Sequence, residues 1–297
     1  MVDSGASAFK IIGAGVSIGQ PRKGVEKTAE ILKAEGIENL MNPEKTQWVE
    51  IVQEGEYTPE PERLHPIRNV REIGEYSKRL YDSIVNNITA DDFLLTIGGD
   101  HSIASPSITA LLKVHNNNLG IIWLDAHGDC NTPDTSPSGN FHGMPVAHAL
   151  GLFSDENLMW GQPKLEVSQI ALIGIRDLDP LEGVLMDQMG MLYFTMSQVN
   201  ELGIEHCIKA AMEHVDPNND KMIHLSLDVD GFDPTLIPGT GTAVPGGLTF
   251  DHYHVILSHL RACKERFRSM DLAEINFTIE KETTLQNVKE MIRLTFT

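Results

Sequence analysis

Three short stretches carry side chains that together could hold metal ions: His101 in GGDH, Asp125, His127 and Asp129 in DAHGD, and Asp228 and Asp230 in DVDG. In extended backbone, residues i, i+2 and i+4 project to the same side, so D-x-H-x-D and D-x-D each send their functional groups one way. Gly128 and Gly231 then let the chain turn aside, and the carboxylates can converge. Two like unit charges about 4 Å apart repel by roughly 4 kcal/mol at an effective dielectric near 20, so four clustered aspartates require cations between them. Two divalent ions would balance the charge, with carboxylates bridging them and one imidazole on each. Oxygen ligands, two imidazoles and no thiolate favour Mn²⁺ over a tetrahedral structural Zn²⁺. Mg²⁺ suits the histidines less well, whereas Co²⁺, Ni²⁺ or Fe²⁺ could substitute.

The elements that must position these residues are short apolar runs ending abruptly in glycine or charge. They are FKII (9–12), FLLTI (93–97), LGIIWL (119–124), QIALIGI (169–175), MIHLSL (222–227) and SMDLA (269–273). Such runs read as strands buried on both faces, as in a parallel sheet. Helix-like segments lie between them. Ser105-Pro106 offers an N-cap and first-turn proline before Ile108, Leu111 and Leu112, Asn116 to Asn118 stop that helix, and Thr249 precedes an apolar stripe at Tyr253, Ile256, Leu257 and Leu260. The alternation predicts a three-layer α/β/α fold with a central, mostly parallel sheet, in which ligands gather beyond the carboxyl ends of the strands. The proline- and charge-rich stretch EYTPEPERLHP (56–66) reads as a surface loop, and the polar clusters at 98–101, 125–142 and 228–230 belong to a single domain spanning 1–297.

Composition narrows the function classes. Hydrophobic residues at 41% and charged residues at 22% describe a globular chain, and no apolar stretch is long enough to span a bilayer. The net charge of −19 would repel nucleic acid and anionic membranes, leaving a small or cationic partner. Three cysteines without a CxxC spacing suggest reduced thiols, and MVDSGASAFK lacks the features of a secretory signal, so a cytoplasmic protein is expected. Cys130 adjoins a ligand position and reads as filler or a redox-sensitive thiol. DVDGFDP lacks a calcium loop's glutamate at the twelfth position, which is Gly239. GAGVSIG (13–19) has GxGxxxG spacing, unlike a dinucleotide loop, and a proline-basic segment follows it.

GGDHS (98–102), DAHGDCNTP (125–133), SGNFHG (138–143) and SLDVDGFDP (226–234) resemble the signature blocks of the ureohydrolases, and among them the arginases. GQPRKGVE (19–26), IGIRDLDP (173–180), PGTGTAVPGGLT (238–249) and AEIN (273–276) fall in the matching order, so the resemblance covers almost the whole chain. It implies an arginase-like fold and two Mn²⁺ ions. One would be held by His101, Asp125, Asp129 and Asp228, the other by Asp125, His127, Asp228 and Asp230. It also implies hydrolysis of L-arginine to L-ornithine and urea by a hydroxide bridging the ions. His142 would shuttle the proton that lets the amine leave, Glu274 would accept hydrogen bonds from the guanidinium, and Asp129 would serve catalysis as well as ligation.

At the other end of the substrate, Asn131, Ser136, Ser138 and Asn140 in NTPDTSPSGN would donate to the α-carboxylate, directly or through water. Asp179 and Glu182 would face the α-ammonium, with Thr242 also in contact; Glu182 is alternatively a surface-turn residue. Agmatine lacks a carboxylate for those donors, so L-arginine is the expected substrate. An agmatinase, a guanidino-acid hydrolase or a metal-binding protein without catalysis are the rivals. Where many arginases read GGLTYRE, this chain reads GGLTFDH (246–252), losing an arginine that helps hold trimers, and it lacks the extended tail of some relatives. The homotrimer implied by the family is therefore expected to be weaker.

Overall fold

The computed structural model describes residues 5–57, 65–161 and 164–297. Most of the proline-rich stretch at 56–66 lies outside the described residues. The strands are β1 (Phe9–Gly15), β2 (Thr46–Gln53), β3 (Phe93–Ile97), β4 (Leu119–Leu124), β5 (Ile170–Ile175), β6 (Leu192–Thr195), β7 (Met222–Asp228) and β8 (Phe267–Ala273). They form one sheet in the order β2-β1-β3-β8-β7-β4-β5-β6, and every pairing is parallel. The helices are α1 (Thr28–Ala34), α2 (Val70–Asn87), α3 (Ala104–Val114), α4 (Pro145–Ala149), α5 (Pro180–Met189), α6 (Met196–Leu202), α7 (Ile204–Val215), α8 (Phe250–Ala262) and α9 (Glu282–Phe296).

The three layers follow from strand parity. Ile122 and Leu124 of β4 join a core with Leu32 of α1, Ile208 of α7, Ile256 of α8 and Met291 of α9. Their alternating neighbours Ile121 and Trp123 join the opposite core, with Leu80 of α2, Leu111 of α3 and Val146 of α4. Every residue of β3, β4, β5 and β8 is buried, which is why these strands read as continuous apolar runs rather than alternating ones.

The two strands that the apolar runs did not disclose are the sheet edges. β2 mixes exposed and half-buried positions, and β6 is only four residues long. Ser105 is not the helix cap expected. Asp100 instead caps a 3₁₀ turn, His101–Ile103, that runs straight into α3, while the Ser105 hydroxyl bonds His148 Nδ1 at 2.7 Å. Asn116 and Asn117 do stop α3, both at positive φ, and Thr249 caps α8 through the His252 N–H. The four adjacent central strands, β3-β8-β7-β4, deliver His101, Glu274, Asp228 and Asp125 to one edge of the sheet.

Candidate active site

Asp125 leaves β4 fully buried and is fixed from several sides. Its Oδ2 accepts the Trp123 indole N–H at 3.0 Å, and its Oδ1 accepts the His127 backbone N–H at 2.7 Å. His101 lies stacked on Trp123 with centroids 4.3 Å apart, and its Nε2 meets Ser226 Oγ at 3.0 Å. That leaves Nδ1 facing Asp125 and Asp129 at 3.0 Å and Asp228 at 3.2 Å. His127 Nδ1 lies 3.2 Å from Asp230 and 3.4 Å from Asp125. Asp230 is held in turn by the Ala126 N–H at 3.2 Å and the Thr242 hydroxyl at 2.7 Å.

Ligand atoms of His101, Asp125, Asp129 and Asp228 lie within 4.8 Å of one another, as do those of Asp125, His127 and Asp230. Asp125 stands in both groups, so two cation positions share a carboxylate. This donor set fits a pair of divalent ions for a chemical reason: one imidazole nitrogen cannot satisfy three carboxylates, whereas a cation accepts all of these donors at once. Electrostatics agree. Burial, reinforced by Asp125, pushes Asp129 up to about 6, and burial with Asp230 and Asp125 pushes Asp228 well above the carboxylate range. Burial would lower His101, but its hydrogen bonds to Asp125, Asp129 and Asp228 outweigh that and raise it. The cluster draws protons because it has a surplus of negative charge in a poorly solvated place.

Two acids here occupy left-handed backbone, Asp129 at φ 48° and Glu274 at φ 62°. Such conformations cost roughly 1 to 3 kcal/mol and persist where surrounding structure enforces them. Glu274 is enforced by three partners: Oε1 accepts the His101 N–H and meets His142 Nδ1, both at 3.0 Å, and Oε2 accepts the Gln20 amide at 2.7 Å. Burial would lower His142, yet the hydrogen bond and charge of Glu274, with Asp129 and Asp100, raise it to about 9.

A cavity of about 140 Å³ opens above the cluster, lined by His127, Asp129, Asp228 and Asp230 at its floor and by Asn131, Ser136, Ser138, His142, Asp177, Asp179, Glu182 and Thr242 around it. Nearly every residue expected to touch substrate is thus brought together. Glu274 is behind His142 and Asn140 is outside the lining, with its backbone N–H given to Ser138 Oγ at 3.2 Å. Glu182 is only 3% exposed rather than a surface decoration, and its carboxylate accepts the Cys130 and Asp179 N–H groups. Asp179 accepts the Asn131 amide at 3.0 Å.

Several supporting residues escaped the sequence reading. Ser226 was accessible to it, because S-x-D within β7 puts Ser226 on the same side as Asp228. Trp123 likewise shares parity with Asp125. Asp100, buried and accepting the Gly19 N–H at 2.9 Å, Gln20 and Arg176 act through distant segments and carry no local signal.

A sequence model described as the Arginase family matches residues 7–296. An arginase of Plasmodium berghei is 36% identical over 292 residues, covering 90% of this chain and 82% of that protein. An arginase of Staphylococcus aureus is 38% identical over 280 residues, covering 92% and 91%. Among solved structures, Entamoeba histolytica arginase in complex with L-ornithine superposes with a TM-score of 0.90 at 31% identity, covering 98% of this chain and 99% of that one. Bacillus caldovelox arginase does so with a TM-score of 0.88 at 31% identity, covering 98% of each.

Proposed function

Because the chain belongs to the arginase family, we propose that it hydrolyses L-arginine to L-ornithine and urea, using two Mn²⁺ ions held at the carboxyl ends of the central strands. The observation that carries this reading is the pair of ligand groups sharing Asp125 beneath the cavity that His142 and Asp179 line. His101, Asp125, Asp129 and Asp228 would hold one ion, and Asp125, His127, Asp228 and Asp230 the other. When bound, the ions supply a strong nucleophile at neutral pH by lowering the pKa of water in the site.

The chain's own residues do the rest. Water's oxygen ends on the guanidinium carbon and the bond to the substrate's chain nitrogen breaks, so a proton must reach that nitrogen for ornithine to leave. His142 holds such a proton: Glu274 occupies Nδ1, and Nε2 is the nitrogen available to the cavity. Glu274 orients and charges this imidazole; with Oε1 engaged by His101 and His142, its role toward the guanidinium would be exercised from that anchored position. The hydroxyls of Ser136 and Ser138, with Asn131 and Asn140, would read the α-carboxylate. Asp179, braced by Asn131, and Glu182 would draw the α-ammonium, and Thr242 would keep Asp230 aimed at the floor.

The ornithine carried by the Entamoeba histolytica structure supports an α-amino acid substrate over agmatine. Urea release from arginine and from agmatine, measured side by side, tests the choice; preference for agmatine refutes it. The same reading has residues 1–297 acting as one catalytic domain in the cytoplasm and assembling as a weak homotrimer. Among the described residues no helix is long and apolar enough to cross a membrane. Light scattering tests the assembly, and a monomer at micromolar concentration contradicts it.

A further inference from the structure

Arg176, at the end of β5, touches neither the ligand side chains nor the cavity, yet its guanidinium is the most heavily committed group near the site. Nη2 donates to the carbonyl oxygens of Asp230 at 2.6 Å, Val244 at 2.7 Å and Phe232 at 3.3 Å. Nη1 donates to Gly174 at 3.0 Å and Gly231 at 3.2 Å, and Nε to Val244 at 3.2 Å. A guanidinium is the one side chain with a planar fan of N–H donors wide enough to satisfy such a ring of carbonyls. It joins three segments: the end of β5, the turn carrying Asp230, and the loop from Gly239 to Gly247 that carries Thr242. Its own backbone joins a fourth, since the Arg176 N–H donates at 2.8 Å to Ala126 O, between Asp125 and His127.

All of these tethers converge on one cation position. Asp230 is aimed by the Ala126 N–H and the Thr242 hydroxyl; the Ala126 carbonyl accepts the Arg176 N–H, and the carbonyl of Val244, two residues beyond Thr242, accepts its guanidinium. The other position is built differently. His101 is held by Ser226 and by Glu274 through its backbone, and the carbonyl of Asp129 accepts the Val146 N–H at 3.0 Å. The packing at Gly247 is correspondingly tight: a Cβ there would come within 2.5 Å of the Phe232 carbonyl carbon and 2.6 Å of both Asp233 N and Arg176 Nη2.

We propose that Arg176 is a positioning residue for one ion of the pair, fixing the Asp125, His127 and Asp230 position through backbone carbonyls while leaving the His101 and Asp129 position to other supports. This rests on the two-ion reading given above. Groups that orient metal ligands are worth about 10- to 100-fold in metal affinity. Lysine keeps the charge but has three donors on a single nitrogen and cannot span the ring.

The test is equilibrium dialysis of the full-length protein and its Arg176→Lys variant against graded Mn²⁺, with bound metal counted by elemental analysis and the fold checked by circular dichroism. The expected result is two ions per chain in the parent protein. In Arg176→Lys, one ion is retained at parental affinity and the other is weakened about 10- to 100-fold. The spin-coupled resonance signal of the Mn²⁺ pair gives way to that of isolated Mn²⁺. Two ions bound with unchanged affinities, or parallel loss of both from a folded variant, overturns the proposal. If Arg176→Lys does not fold, Arg176→Gln, which keeps an N–H donor but cannot span the ring of carbonyls, is read by the same criteria. Fewer than two ions in the parent protein instead overturns the two-ion reading itself.

Discussion

His142 Nδ1 and Glu274 Oε1 lie 3.0 Å apart, and the carboxylate is 1% exposed. A buried acid fixed to one nitrogen of a histidine sets both the tautomer and the charge of the ring. Its direction here is upward, to about 9, so the imidazole is protonated at neutral pH and can release a proton to a departing amine. His142→Asn should therefore keep both cations while lowering kcat by about 10²- to 10⁴-fold, the usual worth of general acid-base catalysis. Metal counting beside a urea assay checks this; an unchanged kcat removes His142 from the mechanism.

Asp129 belongs to one ligand group and Asp125 to both. Asp129→Ala should weaken one cation by at least about tenfold, whereas Asp125→Ala should weaken both. Elemental analysis after dialysis distinguishes the two patterns. Full cation occupancy and activity in Asp129→Ala would contradict the cluster.

Ser136 and Ser138 line the cavity, and on the proposed reading their hydroxyls donate to the α-carboxylate of arginine, which agmatine lacks. Removing both should raise KM for arginine by roughly 10-fold, given about 0.5 to 1.5 kcal/mol per hydrogen bond, and leave KM for agmatine unaltered. Parallel increases for both substrates would show that these serines do not read the carboxylate.

His148 predicts a pH dependence of stability. Its Nδ1 bonds Ser105 Oγ at 2.7 Å and its Nε2 meets Leu158 O at 3.2 Å, and burial lowers it to about 4. The unfolded chain binds a proton near 6.5, so the neutral folded ring contributes fully above that pH and its contribution is lost as pH falls toward 4. Between pH 7 and pH 5 the loss is about 2 kcal/mol. Urea melts of the parent protein should show that extra loss relative to His148→Gln; equal pH sensitivity would sink the assignment.

The sequence disclosed those features that depend on neighbours along the chain. Strands buried on both faces announce themselves by unbroken apolar runs, and the ligands by their residue types clustered just beyond β4 and β7; the extended backbone expected there is absent, since Asp230 lies in a 3₁₀ turn, Val229–Gly231, and Asp129 in left-handed backbone. The edge strand β6 has a half-wet surface and only four residues, so its apolar signal is short and diluted. Arg176 was opaque for another reason: its partners are carbonyls, which every residue has, drawn from segments up to 68 positions away. Glu274 was found by its place in AEIN, but its hold on His142 across 132 positions required the fold.

Arginine hydrolysis by this chain should depend on paired cations held among these aspartates. The most direct measurement is urea release from L-arginine by protein stripped with a chelator and then titrated with Mn²⁺. Activity should vanish on stripping and return in full as two ions per chain are restored. Urea release that survives complete removal of metal, or no release from arginine when both ions are bound, would contradict the account.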